Sequence, residues 1–274
     1  MKKNKACLII LSHSSYSDIW EITLKSYKKY FNSIEVDLYL TSDDNISPEI
    51  KQMVIEQGFS ILYYPENISW SESLKKIIND DIIGNYNSVI FSFDDLVLLE
   101  KVNTDRLNDC FKMMDKIDYL ILNDGHHNLF TDISLIGSKA SCFEIPRKDS
   151  YIGSLVFSLW KTDFIYEIIN LPELENLNPW QYEVKISKIL VKYSQKSFFA
   201  LKKPLVNFSN VIVKGKILKG EMDRVKNKNT ISYNGSRLYM NSKDEFKFNN
   251  YRRVFKLARY LLPHSIFEKL RKSY

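Results

Sequence analysis

The chain is poor in glycine. It has eight in 274 residues, and no two of them form a G-x-G. That excludes the glycine-rich dinucleotide fingerprint; there is no P-loop phosphate-binding run either. Cysteine is scarce too. Cys7, Cys110 and Cys142 are widely spaced and odd in number. They make no metal or redox motif and no disulfide framework, and they read as small buried hydrophobes. No apolar run approaches the roughly 18 residues that a membrane span needs. The run 6–11, behind Lys2, Lys3 and Lys5, is too short for a signal peptide, so a cytoplasmic location is expected. No internal repeat is visible. Net charge is also missing from most of the chain. The total is +6, residues 251–274 hold seven Lys/Arg and one Glu, and the first 250 residues hold 32 of each sign. A neutral body without a basic, aromatic-interleaved stripe excludes nucleic acid as a partner.

What is present is the composition of a soluble globular protein, 45% hydrophobic and 26% charged. The length allows one large α/β domain, or a domain with an appendage. Residues 88–99, SVIFSFDDLVLL, organise the rest. They read as a buried strand that ends on Asp94 and Asp95, after which apolar residues resume at once. A carboxylate pair that interrupts an apolar run is costly unless it reaches water, a partner or a metal. In open α/β sheets ligands bind beyond the carboxyl ends of strands. A cap on the next turn is the plainer alternative for the pair.

Taken in order, 6–12 is a continuous apolar run, the form of a parallel strand covered on both faces. His13, Ser14 and Ser15 follow. Trp20, Leu24, Tyr27 and Phe31 then give a helical stripe. A strand is expected at 36–41, ending on Asp43 and Asp44, then a helix at 48–57 stopped by Gly58 and a strand at 59–64. Ser71 or Ser73 is the expected cap of a helix through 78. A helix at 102–116 and a strand at 119–122 come after the central stretch. Residues 128–150 read as loops and short strands, 154–160 as a strand, 162–170 as a helix, and 179–193 as a helix with Pro179 in its first turn. Residues 198–201 and 205–213 look like strands. Strand and helix alternate four times in the first 95 residues, which argues for a parallel sheet.

The order and spacing of these pieces resemble the GT-A fold glycosyltransferases, in particular bacterial family-2-like transferases of capsule and lipopolysaccharide synthesis. Residues 66–74 (ENISWSESL) followed by Phe93-Asp94-Asp95 resemble the run from third strand to DxD motif, and 154–160 with 178–183 (NPWQYE) resemble the acceptor side. The likeness covers about 5–210. The first Asp of D-x-D falls on Ser92 or Phe93, so this is an x-D-D variant. The resemblance implies an α/β, mostly parallel sheet flanked by helices, a nucleotide-sugar donor (a UDP-sugar foremost), Mn²⁺ or Mg²⁺, and a glycan or lipid-linked glycan acceptor. Nucleotidyltransferases share a similar sheet, and a non-catalytic membrane-associated binding protein with a degenerate donor site is the rival from another class.

Asp94 and Asp95 are the expected metal ligands, since Mg²⁺ or Mn²⁺ takes one or two carboxylates plus phosphate oxygens. Ser12 and His13 leave the first strand at the same sheet edge, and the resemblance implies that this loop contacts the nucleotide, with Asp94; an ordinary polar loop is the plainer alternative. Asp43 and Asp44, ending the second strand, have the chemistry to accept from a ribose hydroxyl or a base N–H. Lys75 and Lys76 are more at home on a solvated helix face than on phosphate. Of His126 and His127, one could touch donor or acceptor. Glu183 is the candidate base, at a helix start whose dipole favours a carboxylate, with Asp149, Glu173 and Glu175 as competitors. Trp180 and Tyr182 offer faces to a sugar ring.

The expected organisation is a transferase domain at 1–213, donor half 1–100 and acceptor half 101–213. A mobile, partly disordered Lys/Asn-rich segment is expected at 214–250, and a basic amphipathic helical tail at 251–274. In the tail Val254, Leu257, Ala258 and Leu261 share one face, and Arg252, Lys256 and Arg259 another. Such a helix reads as an anchor to the inner membrane surface.

Overall fold

The structure is a computed structural model that describes residues 6–31, 35–123, 142–147, 152–229 and 232–261. His126, His127, Asp149 and the tail beyond 261 lie outside the described residues.

The first half alternates as expected. Strand β1 (Ala6–Leu11) leads to helix α1 (Ser17–Phe31), β2 (Val36–Asp43), α2 (Pro48–Glu56), β3 (Ser60–Tyr64), α3 (Trp70–Ile78) and β4 (Ser88–Phe93). The expected stripe of α1 is buried in full: Trp20, Leu24, Tyr27 and Phe31. Helix α2 is capped by Ser47 and stops at Gly58, which takes φ +85°, a conformation that costs glycine little. Helix α3 starts earlier than expected. Its cap is Ser69, not Ser71 or Ser73, because Glu72 lies three residues on and completes a capping box.

Then come β5 (Leu96–Leu98), α4 (Thr104–Met113), β6 (Tyr119–Ile121), β7 (Cys142–Glu144), β8 (Ser158–Lys161), α5 (Thr162–Ile169), α6 (Pro179–Leu190), β9 (Phe198–Leu201) and β10 (Phe208–Asn210). Among the described residues the main sheet has eight strands, in the order β3-β2-β1-β4-β8-β6-β9-β7. Strand β8 runs antiparallel to β4 and β6, and β7 antiparallel to β9; the other pairs are parallel. This is the expected α/β architecture, a mostly parallel sheet flanked by helices.

Alternation along the strands builds two cores. Leu8 and Ile10 of β1 face one, with α1 and α4. Cys7, Ile9 and Leu11 face the other, with α3, α5 and α6. A strand covered on both faces needs apolar residues at every position, as β1 has. All three cysteines are buried thiols.

The sequence order turns back between β1 and β4: β1 is followed on one side by β2 and β3, on the other by β4. Such a switch point leaves a crevice beyond the carboxyl ends of the two strands. The register sets Leu11 beside Phe93, so Ser12 and Asp94 emerge side by side.

Two expectations do not hold. The run 154–160 is strand only from Ser158, because Gly153 and Phe157 take φ +88° and +42° and turn the chain first. Segment 214–250 has more regular structure than a mobile, partly disordered segment implies. It carries α7 (Lys219–Asn229) and the first turns of α8 (Ser242–Leu261). Met222 and Val225 of α7 are buried in the core on the α1 side of the sheet, a helical spacing among otherwise polar residues.

Candidate active site

The crevice holds a cavity of about 430 Å³, within the usual range for small-molecule sites of about 300–1,000 Å³. Ser12, His13 and Tyr16 line it from the end of β1, and Asp94 and Asp95 from the end of β4. Glu183 and Trp180 of α6 and the 153–156 turn line it from the second half of the chain.

Asp94 is fixed in place. Its carboxylate accepts from the Ser12 hydroxyl, and Ser12 Oγ accepts from Trp20 Nε1 at 2.6 Å. Thr23 Oγ1 donates to the Asp94 carbonyl at 2.5 Å, and Val211 N to the Asp95 carbonyl at 2.9 Å. Tyr64 OH donates to the Ser12 carbonyl at 2.7 Å, and Ser12 N to Thr41 Oγ1 at 2.8 Å. Asp94 is 6% exposed. Burial first, then the charge of Asp95, hold its carboxyl well above the ordinary range. Burial pushes Asp95 up to about 6.

This donor set fits a divalent cation. Among the described residues neither carboxylate has an ion-pair partner in contact, so each carries an uncompensated burial cost. Among the described residues no three or more His, Cys, Asp or Glu gather as a protein-only metal cage. A cation held by Asp94 and Asp95 would take its other oxygens from phosphate and water.

The other expected residues divide. Ser12 and His13 line the cavity, and Asp43 does not. Asp43 is buried and engaged within the fold: Ser14 N donates to it at 3.0 Å, Ser14 Oγ at 2.9 Å, and His13 Nε2 lies at 3.3 Å. It shapes the loop after β1, while Asp44 is exposed and apart from the cavity. Lys75 pairs with Glu175 at 3.0 Å, and Lys76 is exposed.

On the far side, Asn178 caps α6 in a capping box with Gln181. Ser71 of α3 ties the lead-in to this helix, donating to the Leu177 carbonyl at 3.1 Å and accepting from Leu177 N at 2.9 Å. Glu183 is the fifth residue of α6, and the first turn holds no acid. The helix dipole therefore does less for it than expected, since that effect fades beyond the first turn. Glu183 lines the cavity; Glu173 and Glu175 do not. Trp180 is 75% exposed at the cavity, whereas Tyr182 is 1% exposed and packs edge-on against Trp70 at 5.2 Å. Of the two, Trp180 keeps a face open. Tyr16, Tyr64, Trp70, the 153–156 turn and Asn210 also line the cavity. Sequence patterning had not marked Tyr16, Tyr64, Asn210 or that turn as a site.

No family description matches the chain, and no curated protein matches it. Solved structures do. S. aureus TarS is 13% identical with a TM-score of 0.48, over 94% of this chain and 43% of that one. Core-mannan synthase A from Aspergillus fumigatus, solved in a Mn/GDP form, is 14% identical with a TM-score of 0.43, over 69% of this chain and 70% of that one. The 4-diphosphocytidyl-2C-methyl-D-erythritol synthase of Anaerococcus prevotii is 12% identical with a TM-score of 0.47, over 83% and 97%. The chain thus spans less than half the length of TarS. At these identities the likeness is one of fold and carries nothing about substrate.

Proposed function

We propose that this chain is a glycosyltransferase that moves a sugar from a nucleotide-sugar donor to a hydroxyl of a growing surface glycan, with metal assistance and inversion. One observation carries the reading. Asp94 and Asp95, at the switch point of the sheet, open into the same cavity as Glu183 and Trp180 from the second half of the chain. In this reading Asp94 and Asp95 hold Mn²⁺ or Mg²⁺, and Ser12 and His13 border the nucleotide. A cation there offsets the charge that develops on the diphosphate as the glycosidic bond breaks. Glu183, on a separate element of the same cavity, takes the proton of the acceptor hydroxyl. Trp180 offers its face to an acceptor sugar.

A thermal-shift screen with UDP, GDP, CMP and dTDP, each with and without Mn²⁺, tests the reading. A ligand at 100 times its dissociation constant stabilises by about 2.7 kcal/mol. We expect a Mn²⁺-dependent shift with one nucleotide, UDP foremost. No shift with any of them would favour a binding protein, and a shift confined to nucleoside triphosphates added to the screen would favour a nucleotidyltransferase.

The lipid-linked acceptor and the peripheral membrane site are part of the same proposal. Among the described residues no helix is long and apolar enough to cross a membrane. On α8, Val254 is 64% and Leu257 59% exposed, so this part of the apolar face is not buried on the protein's own core. Deleting residues 251–274 should release the protein from anionic liposomes, and binding of the full chain should weaken with salt, because headgroup attraction is screened over about 8–10 Å. Unchanged liposome binding after deletion would remove the tail from the membrane.

A further inference from the structure

Segment 232–240 returns to the donor side of the cavity from 219 residues away. Arg237 grips Asp18 at the start of α1 with two donors, Nε to Oδ2 at 3.1 Å and Nη2 to Oδ1 at 2.8 Å. Its Nη2 also donates to the Ser15 carbonyl at 2.9 Å, and its Nη1 to the Gly215 carbonyl at 3.4 Å. The guanidinium lies over the Tyr16 ring, 4.5 Å from the centroid. Tyr233 completes the clasp: its hydroxyl donates to Asp18 Oδ2 at 2.8 Å and accepts from Arg237 N at 3.2 Å.

The wall that this clasp touches is a short turn held from both ends. The single turn Ser14–Tyr16 buries none of its residues fully; Tyr16 is half-buried, with part of its ring packed against the core on the α1 side. Its first end is tied by Asp43 through His13 and Ser14. Its second end, Ser15 and Tyr16, meets Arg237. Tyr16 lines the cavity beside Asp94 and Asp95.

We infer that Arg237 is a positioning residue of the donor pocket, holding Tyr16 and the turn after β1 as the wall against which the nucleotide binds. The inference rests on the transferase reading for its ligand. It also means that a chain ending at 213 would lack part of its own site. Lysine cannot replace the arginine, because a point charge cannot fork to Asp18, reach the Ser15 carbonyl and cover a ring at once.

The test uses the full chain with four variants: Arg237→Ala, Arg237→Lys, Tyr16→Ala and the Arg237→Ala/Tyr16→Ala double. Affinity for UDP with Mn²⁺ is measured by calorimetry, and amide exchange is followed along 12–17 and along β1 and β4. Each alanine variant should weaken UDP by about tenfold or more, with the double no weaker than the worse single, as expected for coupled residues. Arg237→Lys should behave like Arg237→Ala. Amides of 14–16 should exchange faster in Arg237→Ala while β1 and β4 keep their protection, which separates local positioning from general loss of stability. Affinity within about twofold of wild type, additive effects, or exchange rising equally in β1 and β4 would overturn the inference. If wild type binds no nucleotide at all, the transferase reading falls, and exchange at 14–16 alone decides: faster and local supports the clasp, unchanged overturns it.

Discussion

Asp95→Asn abolishes the Mn²⁺-dependent part of nucleotide binding and at the same time raises the melting temperature of the metal-free protein. Both effects follow from one arrangement. Asp94 and Asp95 sit at the end of β4 with their carboxyls pushed up by burial, and Asp94 also by its neighbour. Loss of groups that merely orient a metal ligand costs about 10–100-fold in affinity, so removing one of two carboxylate ligands should cost at least about 100-fold. The asparagine keeps the shape and loses the charge, so it removes a repulsion that the metal-free protein bears.

The sign of the pH dependence follows. Asp95 titrates near 6 in the folded chain, above the ordinary 3.8. The stability tied to its bound proton is fully present below about 3.8 and is lost as pH rises through about 6. The asparagine variant has no such loss, so its advantage in melting temperature should be small near pH 4, grow as pH rises from there, and be full above about pH 6. For a domain of this size each kcal/mol moves the midpoint by about 2–4 °C. A variant that keeps full Mn²⁺-dependent affinity would take Asp95 out of the metal site.

Glu183→Gln lowers turnover by about 10²- to 10⁴-fold, the usual worth of general base catalysis, and leaves nucleotide affinity nearly unchanged. An inverting transfer needs a carboxylate on the face of the sugar opposite the leaving nucleotide. Asp94 and Asp95 cannot serve if they hold the diphosphate through a cation. Glu183 lines the same cavity from α6, on a separate element. Glutamine preserves the length and polarity of the side chain and cannot take the proton. Turnover within a few-fold of wild type, or a product that keeps the donor's anomeric configuration, would count against Glu183 and against inversion together.

Much of the donor half was legible because its signals are local. A short, mostly apolar run bounded by polar residues reads as a covered strand, and β1 (ACLIIL) and β4 (SVIFSF) are both of that kind. The acid pair at the end of β4 and the stripe of α1 needed no tertiary information. The cap of α3 was also readable, since Ser69 and Glu72 stand at capping-box spacing; two later serines drew attention from it. The 154–157 turn was not readable. Its apolar run looks like a strand, and the turn depends on Phe157 accepting a left-handed conformation inside the core. Arg237 was illegible for another reason. It lies in a Lys- and Asn-rich stretch, and only the folded chain brings it to Asp18 and Tyr16. Asp43 shows the converse: its position at a strand end suggested ligand binding, and the fold spends it on Ser14 and His13.

The most direct test of the carboxylate pair is a Mn²⁺ titration followed by electron paramagnetic resonance, in which free aqueous Mn²⁺ gives a strong signal that binding removes. Wild-type protein and the nucleoside diphosphate are added separately and then together. The account predicts that the two together remove far more signal than the sum of each alone, up to one ion per chain, and that an Asp94→Asn/Asp95→Asn protein returns the signal to the nucleotide-only level. A signal in the presence of wild-type protein and nucleotide no lower than with nucleotide alone would contradict it.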